Sequence, residues 1–236
     1  MKTYCISDIH GHYRNLLAFK NSLEADDKVF VLGDAIDKGE DPIACLKLIM
    51  DDDRFEMLLG NHEYMMWQFL SAPKDSPEMQ EAYIQWVVWN KGGDTLDPYM
   101  LLEEDERQRI YEYIEGLPLN IPDLEIGGRR FYLVHSLPGS DEQVTMKDLN
   151  YSDPMIFDYV WERRYIDEEL RPYEDRTVIA GHTAVQEYTG KECAPYFRGD
   201  DIMKAPYIDI DGGLAYHLRG SRLIALCLDD MTYELY

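Results

Sequence analysis

Polar residues of the kind that bind metals recur where short apolar runs of this chain end. Asp8 and His10 follow residues 4–6, Asp34 follows residues 29–32, and Asn61 follows residues 57–59. Asp8, Asp34 and Asn61 are 26 and 27 residues apart, the length of one strand–helix unit. Because the parallel strands of such units end at one edge of a sheet, this spacing predicts that the three side chains meet there.

Hydrophobic periodicity extends this pattern over the chain. It predicts strands at 2–7, 28–32 and 54–59, with helices at about 12–23 and 42–50 between them. A helical excursion over about 62–116 follows, with helices at 63–70, 77–90 and 105–115 and a break at Lys91-Gly92-Gly93. Strands return at 124–126, 130–135, 177–180, 206–210 and 223–228, and Gly127-Gly128 fits a hairpin turn. We predict a single α/β domain over residues 1–236.

The charge of the chain limits its partners. It carries 46 acidic and 23 basic side chains, for a net charge of −23. This field repels nucleic acid and anionic membranes, so we expect neither as a partner, and it attracts cations. An anionic substrate would need local positive charge. No apolar stretch approaches the roughly 20 residues that span a bilayer, and no signal peptide is evident, so we expect a cytoplasmic protein.

Two histidines occupy the same place in later strands. His135 follows the apolar residues 131–134, and His182 follows residues 177–181. Imidazole and oxygen ligands gathered at strand ends are what a two-metal hydrolytic site requires. Single motifs have simpler explanations, since Asp34 could be a turn residue and Asn61 a helix cap. Their occurrence together and in order favours the metal site.

Taken in order, these motifs resemble the signature of the calcineurin-like metallophosphoesterases. The matching segments are Asp8-x-His10, Gly33-Asp34-x-x-Asp37-x-Gly39, Gly60-Asn61-His62-Glu63, His135 and Gly181-His182. The third segment resembles the phosphoprotein phosphatase branch, and the chain is similar to small bacterial and phage protein phosphatases of the lambda type. Further likeness lies at Asn90-Lys91-Gly92-Gly93, Trp161-Glu162-Arg163 and residues 208–212. The resemblance implies a four-layer α/β fold, a mixed β-sandwich flanked by helices, with a dinuclear metal site at the strand ends.

The resemblance also implies a role for each site residue. One divalent metal ion would be held by Asp8, His10 and Asp34, and a second by Asp34, Asn61, His135 and His182. Manganese is the expected metal, with iron and zinc as alternatives. A hydroxide bridging the two ions would attack phosphorus directly, and His62, oriented by Asp37, would protonate the leaving group. The substrate phosphate would be bound by Arg163, Lys38 and Asn61.

One position departs from the family pattern. Lys38 stands where the family usually has arginine, so the positive charge is kept and the bidentate geometry is lost. We therefore expect altered positioning of the phosphate. Lys38 is also the one feature that favours a different class of function, a metal-binding protein that has lost turnover.

The main functional prediction is a metal-dependent phosphomonoesterase, a protein serine/threonine phosphatase acting on a phosphorylated protein or peptide, or on a small phosphate ester. The alternative is a hydrolase of dinucleoside polyphosphates such as diadenosine tetraphosphate, which would share the metal core. The products separate the two, because a phosphopeptide yields orthophosphate and a dinucleotide yields nucleotides. The sequence predicts no oligomeric state.

Overall fold

Two mixed five-stranded sheets form the centre of the fold, in a computed structural model that describes residues 1–151, 153–163, 173–190, 193–216 and 220–236. The first sheet contains β1 (Thr3–Ile6), β2 (Lys28–Val31), β3 (Phe55–Met57), β9 (Ile224–Cys227) and β10 (Tyr233–Leu235), in the order β10-β9-β1-β2-β3. Strands β1, β2 and β3 are parallel, with Cys5 opposite Phe30. Strand β9 pairs antiparallel with β1, and β10 pairs antiparallel with β9. The parallel strands are those that the 26- and 27-residue spacing predicts.

The second sheet repeats this plan with later strands. It contains β4 (Asn120–Ile126), β5 (Arg129–Val134), β6 (Thr177–Ala180), β7 (Tyr196–Phe197) and β8 (Tyr207–Asp209), in the order β4-β5-β6-β8-β7. Strands β5, β6 and β8 are parallel, and the edge strands β4 and β7 are antiparallel. Gly127 and Gly128 form the tight turn between β4 and β5 at φ values of 61° and 78°, which glycine adopts without strain. Each sheet therefore presents the carboxyl ends of three parallel strands.

Helices pack around the sheets. They are α1 (Tyr13–Ser22), α2 (Pro42–Asp51), α3 (Asn61–Ser71), α4 (Pro77–Tyr83), a π-helix (Ile84–Trp89), α5 (Gly93–Met100), α6 (Glu104–Gly116), α7 (Pro154–Trp161) and α8 (Val185–Thr189). Short 3₁₀ turns lie at Ile202–Lys204 and Leu214–Tyr216. The start of helix α2 is encoded locally. Pro42 is its first residue, and the Asp41 side chain before it accepts a hydrogen bond from the Ala44 N–H at 3.0 Å. Among the described residues, no helix is long and apolar enough to cross a membrane.

Alternate strand residues build the core. One set from both sheets shares a single cluster: Cys5, Phe30, Leu32, Phe131, Leu133, Ile179 and Ile208. Their neighbours in sequence belong to a second cluster together with helix residues: Ile6, Val29, Val31, Tyr132 and Val178 from the strands, and Leu16, Phe19, Leu46, Ile156 and Tyr159 from the helices. Because strand side chains point to opposite faces in turn, the first set fills the space between the sheets and the second lies under the helices. The predicted α/β fold, with mixed sheets flanked by helices, is confirmed.

Several elements differ from the sequence expectations. The helix expected at 77–90 is α4 followed by the π-helix, and α5 begins within the expected break, at Gly93. Helix α7 was not predicted, although Asp153 caps it, accepting from the Met155 N–H at 2.9 Å, and Pro154 opens it. Strand β10 was also missed, because all three of its residues are exposed and carry no alternating apolar pattern.

Candidate active site

The carboxyl ends of the parallel strands bring the predicted metal-binding residues to one place. Asp8 and His10 follow β1, Asp34 follows β2, Asn61 follows β3, His135 follows β5 and His182 follows β6. All six are buried, with at most 5% of each exposed. The structure thus places the complete predicted set in one cluster between the two sheets.

Asp34 lies between two groups of these side chains. Its Oδ2 is 3.5 Å from His10 Nε2, and its Oδ1 is 3.7 Å from His135 Nε2. On one side, His10 Nε2 is also 3.8 Å from Asp8 Oδ1. On the other side, Asn61 Oδ1 lies 3.0 Å from His135 Nε2 and 2.9 Å from His182 Nδ1. Potential ligand atoms therefore form two adjacent groups that share the Asp34 carboxylate.

The hydrogen bonds of three histidine rings show which nitrogen faces the cluster with a lone pair. In each ring the outer nitrogen contacts a backbone carbonyl: His10 Nδ1 and Ile36 O at 3.1 Å, His135 Nδ1 and Leu32 O at 2.6 Å, and His182 Nε2 and Trp161 O at 3.1 Å. A carbonyl only accepts, so these nitrogens carry the proton. Burial lowers the pKa of all three rings and keeps them neutral. The inner nitrogens thus direct lone pairs at the carboxylate and amide oxygens.

This donor set fits two divalent cations. Lone pairs of neutral imidazole and of oxygen converge at 2.9–3.8 Å where the His10, His135 and His182 nitrogens face their oxygen neighbours. Bound cations would replace this repulsion with attraction, and the outer carbonyl contacts are those that orient metal-binding histidines. Residues Asp8, His10 and Asp34 could hold one ion, and Asp34, Asn61, His135 and His182 the other.

Without bound cations, the charged form of a buried carboxylate in the cluster is electrostatically unfavourable. Burial, and then the neighbouring Asp8 carboxyl, raise the pKa of Asp34 well above its ordinary value, and a hydrogen bond from the His62 N–H at 3.0 Å works in the opposite direction. Asp8 is held by the His182 N–H at 2.9 Å and by the Ser7 hydroxyl. Both aspartates thus accept hydrogen bonds, Asp34 from the first turn of α3 and Asp8 from Ser7 and the loop after β6.

Backbone strain concentrates at this site. In the described part of the chain, nine residues other than glycine have positive φ, and six of them are here: Asp8 (50°), His10 (45°), Asp34 (55°), Asp37 (69°), Lys38 (69°) and His182 (69°). Each left-handed residue costs about 1–2 kcal/mol. Such strain persists where the surrounding structure enforces it, as it does at strand ends packed between two sheets.

Two glycines make room for the carboxylates. A Cβ on Gly60 would collide with the Asp34 carboxylate, and a Cβ on Gly181 would collide with the Asp8 carboxylate and the Ser7 hydroxyl. The glycines of the Gly-Asn-His-Glu and Gly-His segments therefore follow from close packing against the cluster.

The predicted pair of His62 and Asp37 is also present. His62 Nδ1 lies 2.5 Å from Asp37 Oδ2, and His62 Nε2 faces the cluster, 3.9 Å from Asp34 Oδ2. This second distance places His62 Nε2 within reach of the ligand group of His10 and Asp34. Burial raises the pKa of Asp37 to about 7, against the lowering effect of hydrogen bonds from Thr95 and Trp86.

A small cavity of about 60 Å³ lies over the cluster. It brings together the predicted phosphate-binding residues Lys38, Asn61 and Arg163, with Asn90, Trp161 and Tyr216 also in its wall. Lys38 Nζ is 5.7 Å from the centre of the Tyr216 ring. Two cationic side chains thus border a cavity that is otherwise lined by acidic and neutral groups.

Two residues of the site, Glu63 and Asp211, have no role predicted from the sequence. The Glu63 carboxylate accepts four backbone hydrogen bonds: from Asp34 and Gly60 to Oε2 at 2.9 and 3.3 Å, and from Ala35 and Ile36 to Oε1 at 2.9 and 3.3 Å. It holds the loop that carries Asp34. Asp211 follows β8, the third parallel strand of the second sheet, and lines the cavity while 1% exposed. Asp211 lies in residues 208–212, and the family resemblance of that segment could have identified it from the sequence.

A profile of calcineurin-like phosphoesterases matches residues 1–220. Together with the two-sheet fold and the cluster of ligand atoms, the match means that the chain belongs to the calcineurin-like phosphoesterase family, a class of metal-dependent hydrolases. The predicted family membership is confirmed.

Curated relatives match part of this chain. A symmetrical bis(5′-nucleosyl)-tetraphosphatase of Cellvibrio japonicus is 36% identical over 140 residues, which are 58% of this chain and 45% of the relative. The chain spans less than half the length of the first curated relatives that it matches.

Solved structures share the fold. A protein provisionally named a diadenosine tetraphosphatase aligns with a TM-score of 0.59 and 15% identity, covering 100% of this chain and 92% of that one. A protein serine/threonine phosphatase of Saccharomyces cerevisiae aligns with a TM-score of 0.55 and 15% identity, covering 100% and 79%. At these identities the likeness shows the fold alone.

Binding of Mn²⁺ should release protons. The raised pKa of Asp34 means that protons compete with the cation for its carboxylate, and the histidines bind metal only when neutral. The affinity for Mn²⁺ should therefore fall as the pH is lowered. Calorimetry in buffers of different ionisation enthalpy measures the protons released. Asp34→Asn should abolish most of the release, and equal release from the variant would contradict the assignment.

Glu63→Gln should destabilise the protein and weaken metal binding. The amide would point an N–H at backbone N–H groups, leaving buried donors unpaired at a cost of about 3 kcal/mol. Urea unfolding and Mn²⁺ titration measure the two effects. Glu56→Gln, at an exposed position of β3, is the matched control. Unchanged stability of the Glu63 variant would exclude its supporting role.

Proposed function

We propose that the cluster binds two divalent metal ions and that the chain hydrolyses phosphoester or phosphoanhydride bonds. The observation that carries this proposal is the convergence of imidazole and oxygen lone pairs on either side of Asp34. Asp8, His10 and Asp34 would hold one ion, and Asp34, Asn61, His135 and His182 the other. When bound, such ions neutralise phosphoryl oxygens and lower the pKa of water toward neutrality. Manganese remains the expected metal.

The remaining side chains suit binding and proton transfer. His62 Nε2 faces the cluster while Nδ1 contacts Asp37. Burial lowers the pKa of His62, and the Asp37 carboxylate would oppose this by stabilising the protonated ring, which would donate to the leaving oxygen. Lys38 and Arg163, which line the cavity, would bind the phosphoryl oxygens together with the Asn61 amide. Their local positive charge would admit an anion despite the net charge of −23.

We propose a bis(5′-nucleosyl) tetraphosphate as the substrate. The support is the name shared by curated relatives that are 26–36% identical to parts of this chain. The cavity has room for little more than one phosphoryl group, and its wall includes Trp161 and Tyr216, so the nucleosides would lie outside it against aromatic side chains. This reverses the order of the two sequence predictions, in which the protein phosphatase came first.

A protein phosphatase is the second candidate. The pairing of His62 with Asp37 at 2.5 Å favours it, because the alkoxide of a serine or threonine is a poor leaving group that requires protonation. A nucleoside diphosphate is a far weaker base and leaves with less help. The Gly60-Asn61-His62-Glu63 segment points the same way by resemblance.

A side-by-side assay separates the two candidates. We expect protein loaded with Mn²⁺ to convert diadenosine tetraphosphate to adenosine diphosphate faster than it releases orthophosphate from a phosphoserine peptide. Chromatography of the nucleotides and a phosphate assay measure the rates, and loading with iron or zinc tests the metal. Faster peptide hydrolysis would establish the second candidate in place of the first.

His62→Asn tests the proton donor. It should lower kcat on the phosphopeptide by about 10²–10⁴-fold, and less on the dinucleotide, whose leaving group is the weaker base. Metal content, measured by elemental analysis, should stay at the wild-type level. His12→Asn, at the residue that precedes α1 and outside the cluster, is the control. A loss of bound metal in the His62 variant would make His62 a ligand instead.

A further inference from the structure

The segment of residues 61–116 contacts Asp37 at two points. Trp86, in the π-helix, donates from Nε1 to Asp37 Oδ2 at 2.8 Å. Thr95, in α5, donates from Oγ1 to Asp37 Oδ1 at 2.5 Å and accepts from the Asp37 N–H at 3.0 Å. We propose that Thr95 and Trp86 are positioning residues that hold Asp37, and through it His62, in line for proton donation. This inference rests on the proposed role of His62.

The bonds fix both ends of the aspartate. Asp37 is fully buried and has a left-handed φ of 69°, so its position depends on its neighbours. The Thr95 hydroxyl ties the backbone of Asp37 to its own carboxylate, which limits rotation of the side chain. Oδ2 is shared by the Trp86 N–H and by His62 Nδ1. With both oxygens engaged by fixed donors, the carboxylate holds the His62 ring in one orientation.

The Asn90-Lys91-Gly92-Gly93 segment explains how one stretch of chain supplies both residues. Trp86 is fully buried, whereas Val88 and Trp89 in the same π-helix are 60% and 74% exposed. Gly92 donates its N–H to the Trp86 carbonyl at 2.9 Å, and a Cβ on Gly92 would collide with the indole ring. The Gly92 carbonyl accepts from the Thr95 N–H at 3.1 Å. The glycine therefore joins Trp86 to Thr95.

The π-helix has a place in this arrangement. Its wider turn shifts the register of side chains relative to an α-helix, and such turns often occur at functional sites. Here it carries the indole that reaches Asp37. The helical excursion predicted from the sequence thus contributes two hydrogen-bond donors to the site.

Thr95→Val removes the hydroxyl with little change in shape and leaves Asp37 Oδ1 and N–H without their partner. We expect kcat on phenyl phosphate to fall about tenfold, as for loss of one hydrogen bond to a buried charged group. The fall on p-nitrophenyl phosphate should be smaller, because its leaving group needs less protonation. Thr95→Ser should restore both rates.

Trp86→Phe should behave like Thr95→Val. Trp67 is stacked on Tyr64 and Tyr151, so Trp67→Phe is the matched control and should leave the ratio of the two rates unchanged.

A double-mutant cycle separates positioning from a structural role. If Thr95 acts through His62, Thr95→Val should have no further effect on kcat in a His62→Asn background. An equal loss on both aryl phosphates, or losses that add to those of His62→Asn, would overturn the inference.

One measurement needs no substrate. The proton between His62 Nδ1 and Asp37 Oδ2 should give a far-downfield NMR resonance that shifts in Thr95→Val and returns in Thr95→Ser. An unchanged resonance in Thr95→Val would overturn the inference even if the wild-type protein hydrolysed no dinucleotide. Failure of the proposed substrate would appear separately, as an inert wild-type protein with the resonance pattern intact.

Discussion

The contact of Asp34 with both halves of the site is the interaction on which the rest of the structure depends. One oxygen lies near His10 of the first sheet, and the other near His135 of the second. The same carboxylate accepts from the first turn of α3, where the helix dipole favours negative charge. A side chain from the end of β2 thus lies against two sheets and a helix, and a cation bound there would connect all three.

The strain at the site has a source in the fold. Six left-handed residues follow the strand ends, and together they would cost several kcal/mol. Buried hydrogen bonds offset this cost: Glu63 holds four backbone amides, and Asp8 is fixed by the loop after β6. These hydrogen bonds position Asp8 and Asp34 independently of a bound metal.

Charge is distributed unevenly between the site and the surface. The net charge of −23 repels anions at a distance, while Lys38 and Arg163 border the small cavity over the cluster. A phosphorylated substrate would be drawn in only at short range, where these side chains and bound cations outweigh the field of the surface. Lys38, which departs from the family arginine, also lies over the Tyr216 ring, so its position is set by an aromatic contact as well as by charge.

Much of the fold and of the candidate site could be predicted from the sequence, because both follow from local patterns. Alternating strands and helices located β1, β2 and β3, and the polar residues after them identified Asp8, Asp34 and Asn61 as one group. The ends of later strands added His135 and His182, and the family resemblance added the pair of His62 and Asp37. Helix α7 and strand β10 escaped prediction, because α7 is an apolar run of only eight residues, which fits a strand as well as a helix, and the three residues of β10 are exposed.

The sequence by itself determined which residues end the strands and which of them can bind metals or donate protons, because those properties belong to the residues and to their spacing. Only the tertiary structure decided the partners of these residues. The contacts of Glu63 with the loop after β2, and of Trp86 and Thr95 with Asp37, join positions 27 to 58 residues apart. No local pattern encodes such contacts, because they form when helices and loops pack against one strand end. The tautomers of the histidines were decided in the same way, by backbone carbonyls that packing places beside each ring.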